Sequence, residues 1–309
     1  MPLSPNEIAI TVSDLQTYRD RGYWISPVLF DEEEIKTIRH EVVRICNGER
    51  DFDTMHWLGT PNYAADSPDM RQVCNGWWVN DIMQKMVKTP VIGHIGATFM
   101  ATETVRIWHD QMLHKPGLGP DGDKVLVNNI GWHQDYAHWQ CANTDHFCTA
   151  WVALQDTDRR NGCMQFIKGS HTWGLFEDAY SFGDKDLDAL EKKYRRDDRA
   201  WVEEPCILKA GQASFHHPLL FHGSGPNPSR ESRLSFVVHM MAGDCGYKKS
   251  GRFHPNAVLL GPFVKDGDLF EGPLFPQIWP TEAVPQRAQR VAFARGSSKR
   301  QVRRVNNDY

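Results

Sequence analysis

The sequence predicts a mainly β domain with helices (α+β), a jelly roll or related barrel buttressed by helices that precede it. Two features carry this. Residues 1 to about 100 place apolar side chains at helical spacing, whereas residues from about 101 to 245 form short strand-like runs broken by Gly, Pro and Asn.

Taken in order, Ser13 is expected to cap a short helix that carries Leu15 and Tyr18 and stops at Gly22. Residues 23–30 then read as a strand or extended link. Asp31 opens a stronger helix: Glu32, Glu33 and Glu34 suit its positive end, and Ile35, Ile38, Val42 and Ile45 share one face before Gly48. A further helix is expected over 80–88, ending before Pro90. Next come a strand over 104–111, a turn-rich loop over 115–122 and an extended approach at 125–127. A strand over 148–154, a turn over 157–162 and a return strand over 163–167 follow.

The densely charged stretch 177–204 reads as an exposed insert, a solvated surface or a lid over a pocket. Strand texture resumes at 211–215 and 221–225. Over 233–240 the residues alternate, with Arg233 and Ser235 on one face and Leu234, Phe236, Val238 and Met240 on the other. A guanidinium and a hydroxyl pointing the same way suit a carboxylate. Residues 1–280 are therefore expected to form one domain: a helical part to about 100, a core over about 101–245 and the insert at about 177–204. Residues 281–309 read as a basic solvated tail.

Composition narrows the function. With 40% hydrophobic and 24% charged residues and a net charge of −4, the chain reads as a soluble globular protein with no nucleic-acid partner. No run of about 18 apolar residues is present, so no membrane span is expected. Seven scattered cysteines without a C-x-x-C pair argue for a reducing compartment, and the expected location is cytoplasmic. The chain is read as a monomer or homodimer.

The chemistry centres on Trp132-His133-Gln134-Asp135-Tyr136-Ala137-His138-Trp139. On an extended strand, His133 and Asp135 point to the same face and reach one metal ion. Imidazole and carboxylate with open coordination positions are what a two-His, one-carboxylate iron site needs. His222, before Gly223-Ser224-Gly225, is the candidate second imidazole, and Arg233 lies eleven residues beyond it. His109, His138, His171, His216, His217 and His239 are read as polar core or rim residues rather than ligands.

Those residues, with Trp108-His109-Asp110-Gln111, Lys115-Pro116, Asn161-Gly162-Cys163-Met164, Gly169-Ser170-His171 and Phe270-Glu271-Gly272-Pro273, make a sequence that resembles the phytanoyl-CoA dioxygenase family over about 14–280. The family's members are Fe(II)- and 2-oxoglutarate-dependent oxygenases. The resemblance implies a double-stranded β-helix, a cupin-like jelly roll closed at one end by N-terminal helices. It also implies that His133, Asp135 and His222 ligate Fe(II) and that Arg233 receives the distal carboxylate of 2-oxoglutarate, with Ser224, Trp151 and Gln111 beside it. Ser235 joins that group from strand alternation alone. O2 is the second cosubstrate, and Tyr136 and Trp139 are the candidate substrate contacts.

Within that family, hydroxylation of an unactivated C–H of a small metabolite is the expected reaction, releasing succinate and CO2. A fatty acyl-CoA is the alternative substrate, for which a basic groove is expected. Asp135 argues against halogenation, which requires a small residue in its place. A non-catalytic cupin-like binding protein has the metal ligands but no use for Arg233 at its offset.

Overall fold

The computed structural model describes residues 2–54, 67–120 and 126–281. The basic tail, apart from residue 281, and parts of the 115–122 loop and the 125–127 approach lie outside the described residues. In chain order the elements are α1 (Val12–Arg21), β1 (Tyr23–Ile25), α2 (Glu32–Cys46), β2 (Arg71–Cys74), α3 (Asp81–Val87), α4 (Pro90–Met100), β3 (Val105–Lys115), β4 (Ile130–His133), α5 (Asp135–His138), β5 (Phe147–Ala153), β6 (Gln165–Ile167), α6 (Leu187–Tyr194), β7 (Glu203–Pro205), β8 (Ala213–His216), β9 (His222–Ser224), β10 (Arg233–Ala242), α7 (Pro255–Val258) and β11 (Gln277–Trp279).

The helices form where expected, with one correction at a cap. Thr11, not Ser13, caps α1, because its hydroxyl accepts from the Asp14 N–H while Asp14 returns the bond to the Thr11 N–H. Gly22 ends that helix at φ 83°, a left-handed conformation that suits glycine. The helix expected over 80–88 forms as α3 and ends before Pro90. Pro90 then starts α4 from its first turn, where a missing N–H costs nothing.

All strand pairs are antiparallel. A seven-stranded sheet runs β1-β8-β5-β10-β3-β11 with β2 also on β3, and a four-stranded sheet runs β4-β9-β6-β7. Two antiparallel sheets facing one another make the jelly roll. The alternation of β10 assigns its faces: Leu234, Phe236, Val238 and Met240 pack outward with Ile38, Val42 and Ile45 of α2 and Ile92 and Ile95 of α4. Each such fully buried side chain contributes roughly 1.5–3 kcal/mol, so the helices are held to the sheet by a core rather than by loops. Arg233, Ser235, Val237 and His239 occupy the other face.

In the insert, α6 buries Leu190 and Tyr194 in a cluster with Trp132 and Phe221 behind the small sheet. Phe182 alone of the insert lines the central cavity.

Candidate active site

The sheets enclose a cavity of about 840 Å3. β4 delivers His133, but the strand ends there, and Asp135 is the first residue of α5. Simple i, i+2 alternation therefore does not carry the pair. The turn from strand into helix brings Asp135 round, with Oδ1 3.7 Å from His133 Nε2. His222, first residue of β9 and paired in register with His133, places its Nε2 3.6 Å from the same oxygen. Gly131 and Gly223 let the strands and the insert close in, since a Cβ on Gly131 would run into the carbonyl oxygens of Ser181 and Asp184.

The donor chemistry of this trio fits iron. His133 Nδ1 donates to the Gly131 carbonyl at 2.8 Å and His222 Nδ1 to that of Leu220 at 3.0 Å, which leaves both Nε2 lone pairs free. Burial, with the field of His222, holds His133 far below its ordinary pKa, and burial lowers His222 to about 4, so both imidazoles are neutral. Burial would raise Asp135, but the neighbouring imidazoles, His222 foremost, more than offset it and the carboxyl stays ionised. Two neutral nitrogens and one carboxylate, mutually within 4.8 Å and buried, are a ready ligand set for a divalent ion.

Behind the trio lies a row set by register alone. His109 of β3 pairs with His239 of β10, His239 with Thr149 of β5, and Thr149 with His216 of β8. All four line the cavity. Thr149 Oγ1 donates to Asp135 Oδ2 at 2.8 Å, and His216 Nε2 lies 3.4 Å from that oxygen. The sequence reading keeps these histidines out of the site, whereas the structure brings them to its wall.

Farther along the same sheet face sits a cationic end. Arg233 is 3% exposed, with its guanidinium carbon 5.3 Å from the centre of the Trp151 ring. It donates to the Gly162 carbonyl at 2.8 Å, and its Nε has no hydrogen-bond partner among the described residues. Lys115, expected in a loop, instead ends β3; it is fully buried and donates to Ser224 Oγ and the Gly225 carbonyl, each at 2.6 Å. Burial and then the Arg233 charge push the Lys115 ammonium well below its usual range, and burial lowers Arg233 to about 10. Among the described residues no carboxylate pairs with either. Two buried cations without a counter-ion cost several kcal/mol unless an anion joins them.

Of the residues expected around this end, Ser224, Trp151 and Gln111 line the cavity. Ser235 does not: it is wholly buried between Leu113 and Ala153 in the sheet, with no partner for Oγ among the described residues. Tyr136 is also turned away, donating to the Ala142 carbonyl at 2.9 Å in an aromatic cluster with Phe147. Trp139 reaches the wall, edge-on to His239 at 4.8 Å. Lys115 and Thr149 were not singled out because their roles depend on strand pairing; His239 was legible, sharing the alternating face of Arg233.

Residues 18–235 match the family described as Phytanoyl-CoA dioxygenase (PhyH). The chain is 21% identical over 247 residues to human peroxisomal phytanoyl-CoA dioxygenase, covering 77% of this chain and 70% of that protein. It is 26% identical over 231 residues to a probable alpha-ketoglutarate-dependent hypophosphite dioxygenase of Stutzerimonas stutzeri, covering 74% and 77%. Among solved structures, the alpha-ketoglutarate-dependent carbocyclase SnoK from nogalamycin biosynthesis superposes with TM-score 0.67 at 20% identity over 90% of this chain and 99% of that one. EctD from S. alaskensis, solved with 2-oxoglutarate and 5-hydroxyectoine, gives 0.59 at 16% over 79% of each chain. At these identities the structural likeness speaks for the fold.

Proposed function

The chain belongs to the phytanoyl-CoA dioxygenase family of iron- and 2-oxoglutarate-dependent oxygenases, and on that footing we propose that it hydroxylates an unactivated C–H of a small metabolite through His133, Asp135, His222 and Arg233. The observation that carries this is the pairing, in one cavity, of a neutral two-His, one-carboxylate cluster with a buried, uncompensated guanidinium.

His133 and His222 would hold Fe(II) through Nε2 and Asp135 through Oδ1. When bound, iron supplies dioxygen activation coupled to conversion of 2-oxoglutarate to succinate and CO2, with one oxygen atom delivered to the substrate. The chain's own part is positional. Arg233 receives the distal carboxylate of the cosubstrate, replacing the missing counter-ion, and Lys115, behind the cavity wall, holds Ser224 in place through the bond it donates to Oγ. Trp151 flanks that end, Gln111 supplies an amide to it, and Trp139 and Phe182 wall the substrate side against water. An acyl-CoA would need cations for its phosphates, yet Arg233 is the only Lys or Arg among the described lining residues.

We read residues 1–280 as one catalytic domain. A cytoplasmic location fits the seven free cysteines, and no described helix is long and apolar enough to cross a membrane. The test is anaerobic addition of Fe(II) and then 2-oxoglutarate, watching for the visible charge-transfer band of the chelate. Asp135→Ala should abolish the band and turnover. Iron binding without a band in the wild type would refute the cosubstrate assignment.

A further inference from the structure

The substrate side of the cavity has a hydrogen-bond polarity that can be deduced from the partners of its histidines. Thr149 has one hydroxyl hydrogen, and it is spent on Asp135 Oδ2 at 2.8 Å. The second contact of that oxygen, 2.8 Å from His239 Nδ1, must therefore be accepted from an Nδ1–H. His239 then carries a bare lone pair on Nε2, which is buried with no partner among the described residues. His109 Nδ1 lies 3.2 Å from the Asp110 carbonyl, which only accepts, so the His109 Nε2 is also a lone pair. His254 is the reverse: its Nδ1 accepts from the Asn256 N–H at 3.1 Å, so its hydrogen sits on Nε2.

These rings are neighbours. His109 lies 4.5 Å from His239 and 5.7 Å from His254, centre to centre, and all three line the cavity beside Trp139. Apart from Asp135 and Arg233, no Asp, Glu, Lys or Arg appears among the described lining residues. Burial keeps His109 and His254 neutral near pH 7, lowering them to about 4 and about 3. Among the described residues this part of the wall is thus uncharged and rich in aromatic rings, with two adjacent acceptors that no described group satisfies and one donor nearby.

Resting on the oxygenase reading above, we propose that the compound oxidised is uncharged and largely apolar and carries a free hydroxyl that donates its one hydrogen to His109 Nε2, with His254 donating to an oxygen of the same molecule. A lone pair on His109 Nε2, with that of His239 on the neighbouring ring, repels a carbonyl or carboxylate at that spot and favours an O–H. A small oxyanion would find no cation among the described residues on this side of the cavity.

Two measurements test this. In full-length protein labelled with 15N-histidine, two-bond proton–nitrogen spectra at pH 7 should show His109 and His239 as Nδ1–H tautomers and His254 as Nε2–H; Nε2–H on either of the first two overturns the inference. Second, a panel of polycyclic and terpenoid alcohols, each with its O-methyl ether and its carboxylate counterpart, is offered to the protein with Fe(II) and 2-oxoglutarate. Binding is read anaerobically as a shift in Tm, and oxidation as succinate released. Free alcohols should exceed their ethers and carboxylates at least tenfold, and in His109→Phe the alcohol-to-ether ratio of kcat/KM should fall about tenfold. Equal response to ethers or carboxylates, or no response to any alcohol, overturns it. Absence of the iron and 2-oxoglutarate band strikes the oxygenase reading instead, while tautomers and anaerobic Tm shifts are read without turnover.

Discussion

Thr149 Oγ1 donates to Asp135 Oδ2 at 2.8 Å, on the carboxylate oxygen opposite the one that faces His133 and His222. The hydroxyl thereby commits Oδ1 to the metal side and fixes the plane of the carboxylate. Thr149→Val keeps the shape and removes the donor. Loss of such an outer partner typically costs 10–100-fold in metal affinity, so the Fe(II) dissociation constant should rise by about that factor in an anaerobic titration. An unchanged constant would remove Thr149 from the metal's support.

Arg233 stacks on Trp151 and bonds to the Gly162 carbonyl, so a lysine cannot reproduce its planar fork. Arg233→Lys should raise KM for 2-oxoglutarate on the order of 10–100-fold, the range of a charge-assisted hydrogen bond, with a smaller effect on kcat. Initial-rate kinetics at varied cosubstrate decide it; a KM equal to that of the wild type would place the carboxylate elsewhere.

Gly131 is pressed against the insert, where an added Cβ meets the Ser181 and Asp184 carbonyl oxygens, and its own carbonyl accepts from His133 Nδ1. Gly131→Ala should destabilise the protein by about 1–3 kcal/mol, as overpacking does, and should weaken iron binding together with stability. Urea denaturation of the metal-free variant reads the first effect, and retention of full stability would contradict the packing described.

The metal-free protein should lose stability on mild acidification. Burial lowers His109 to about 4 and His217 and His254 to about 3, whereas the unfolded chain binds those protons near pH 6.5. Between those values the unfolded state holds more protons, so stability falls as pH drops from 6.5 toward 4 and is flat with respect to these groups above 7. Each contributes up to about 1.4 kcal/mol per pH unit in that window. Denaturation midpoints at pH 7 and pH 5.5 measure it, and midpoints that stay constant would contradict the burial of these rings as neutral groups.

How far the fold was legible depended on how local its signals are. The face of α2 bearing Ile35, Ile38, Val42 and Ile45 is written in a 3.6-residue period, and all four side chains are buried. The inward and outward faces of β10 follow from a two-residue period and agree with the outer core. The helix over 80–88 ends before Pro90 as expected, and the error arose where geometry changes within a few residues: Asp135 begins α5 instead of continuing β4. Ser235 shows the limit of alternation, since facing the correct side of a sheet does not bring a short side chain to the cavity when Leu113 and Ala153 flank it.

What the sequence determined by itself is the type and order of the reactive groups: one His-x-Asp, one later histidine and one arginine at a strand offset. These are short-range or one-dimensional relations, which periodicity and motif spacing encode. The tertiary structure decided which neutral side chains share their space. Register across four strands aligned His109, His239, Thr149 and His216, from positions up to 130 residues apart, and closed Lys115 onto Ser224. Strand pairing sets such rows through backbone hydrogen bonds whose partners are distant in the chain, so no local pattern announces them.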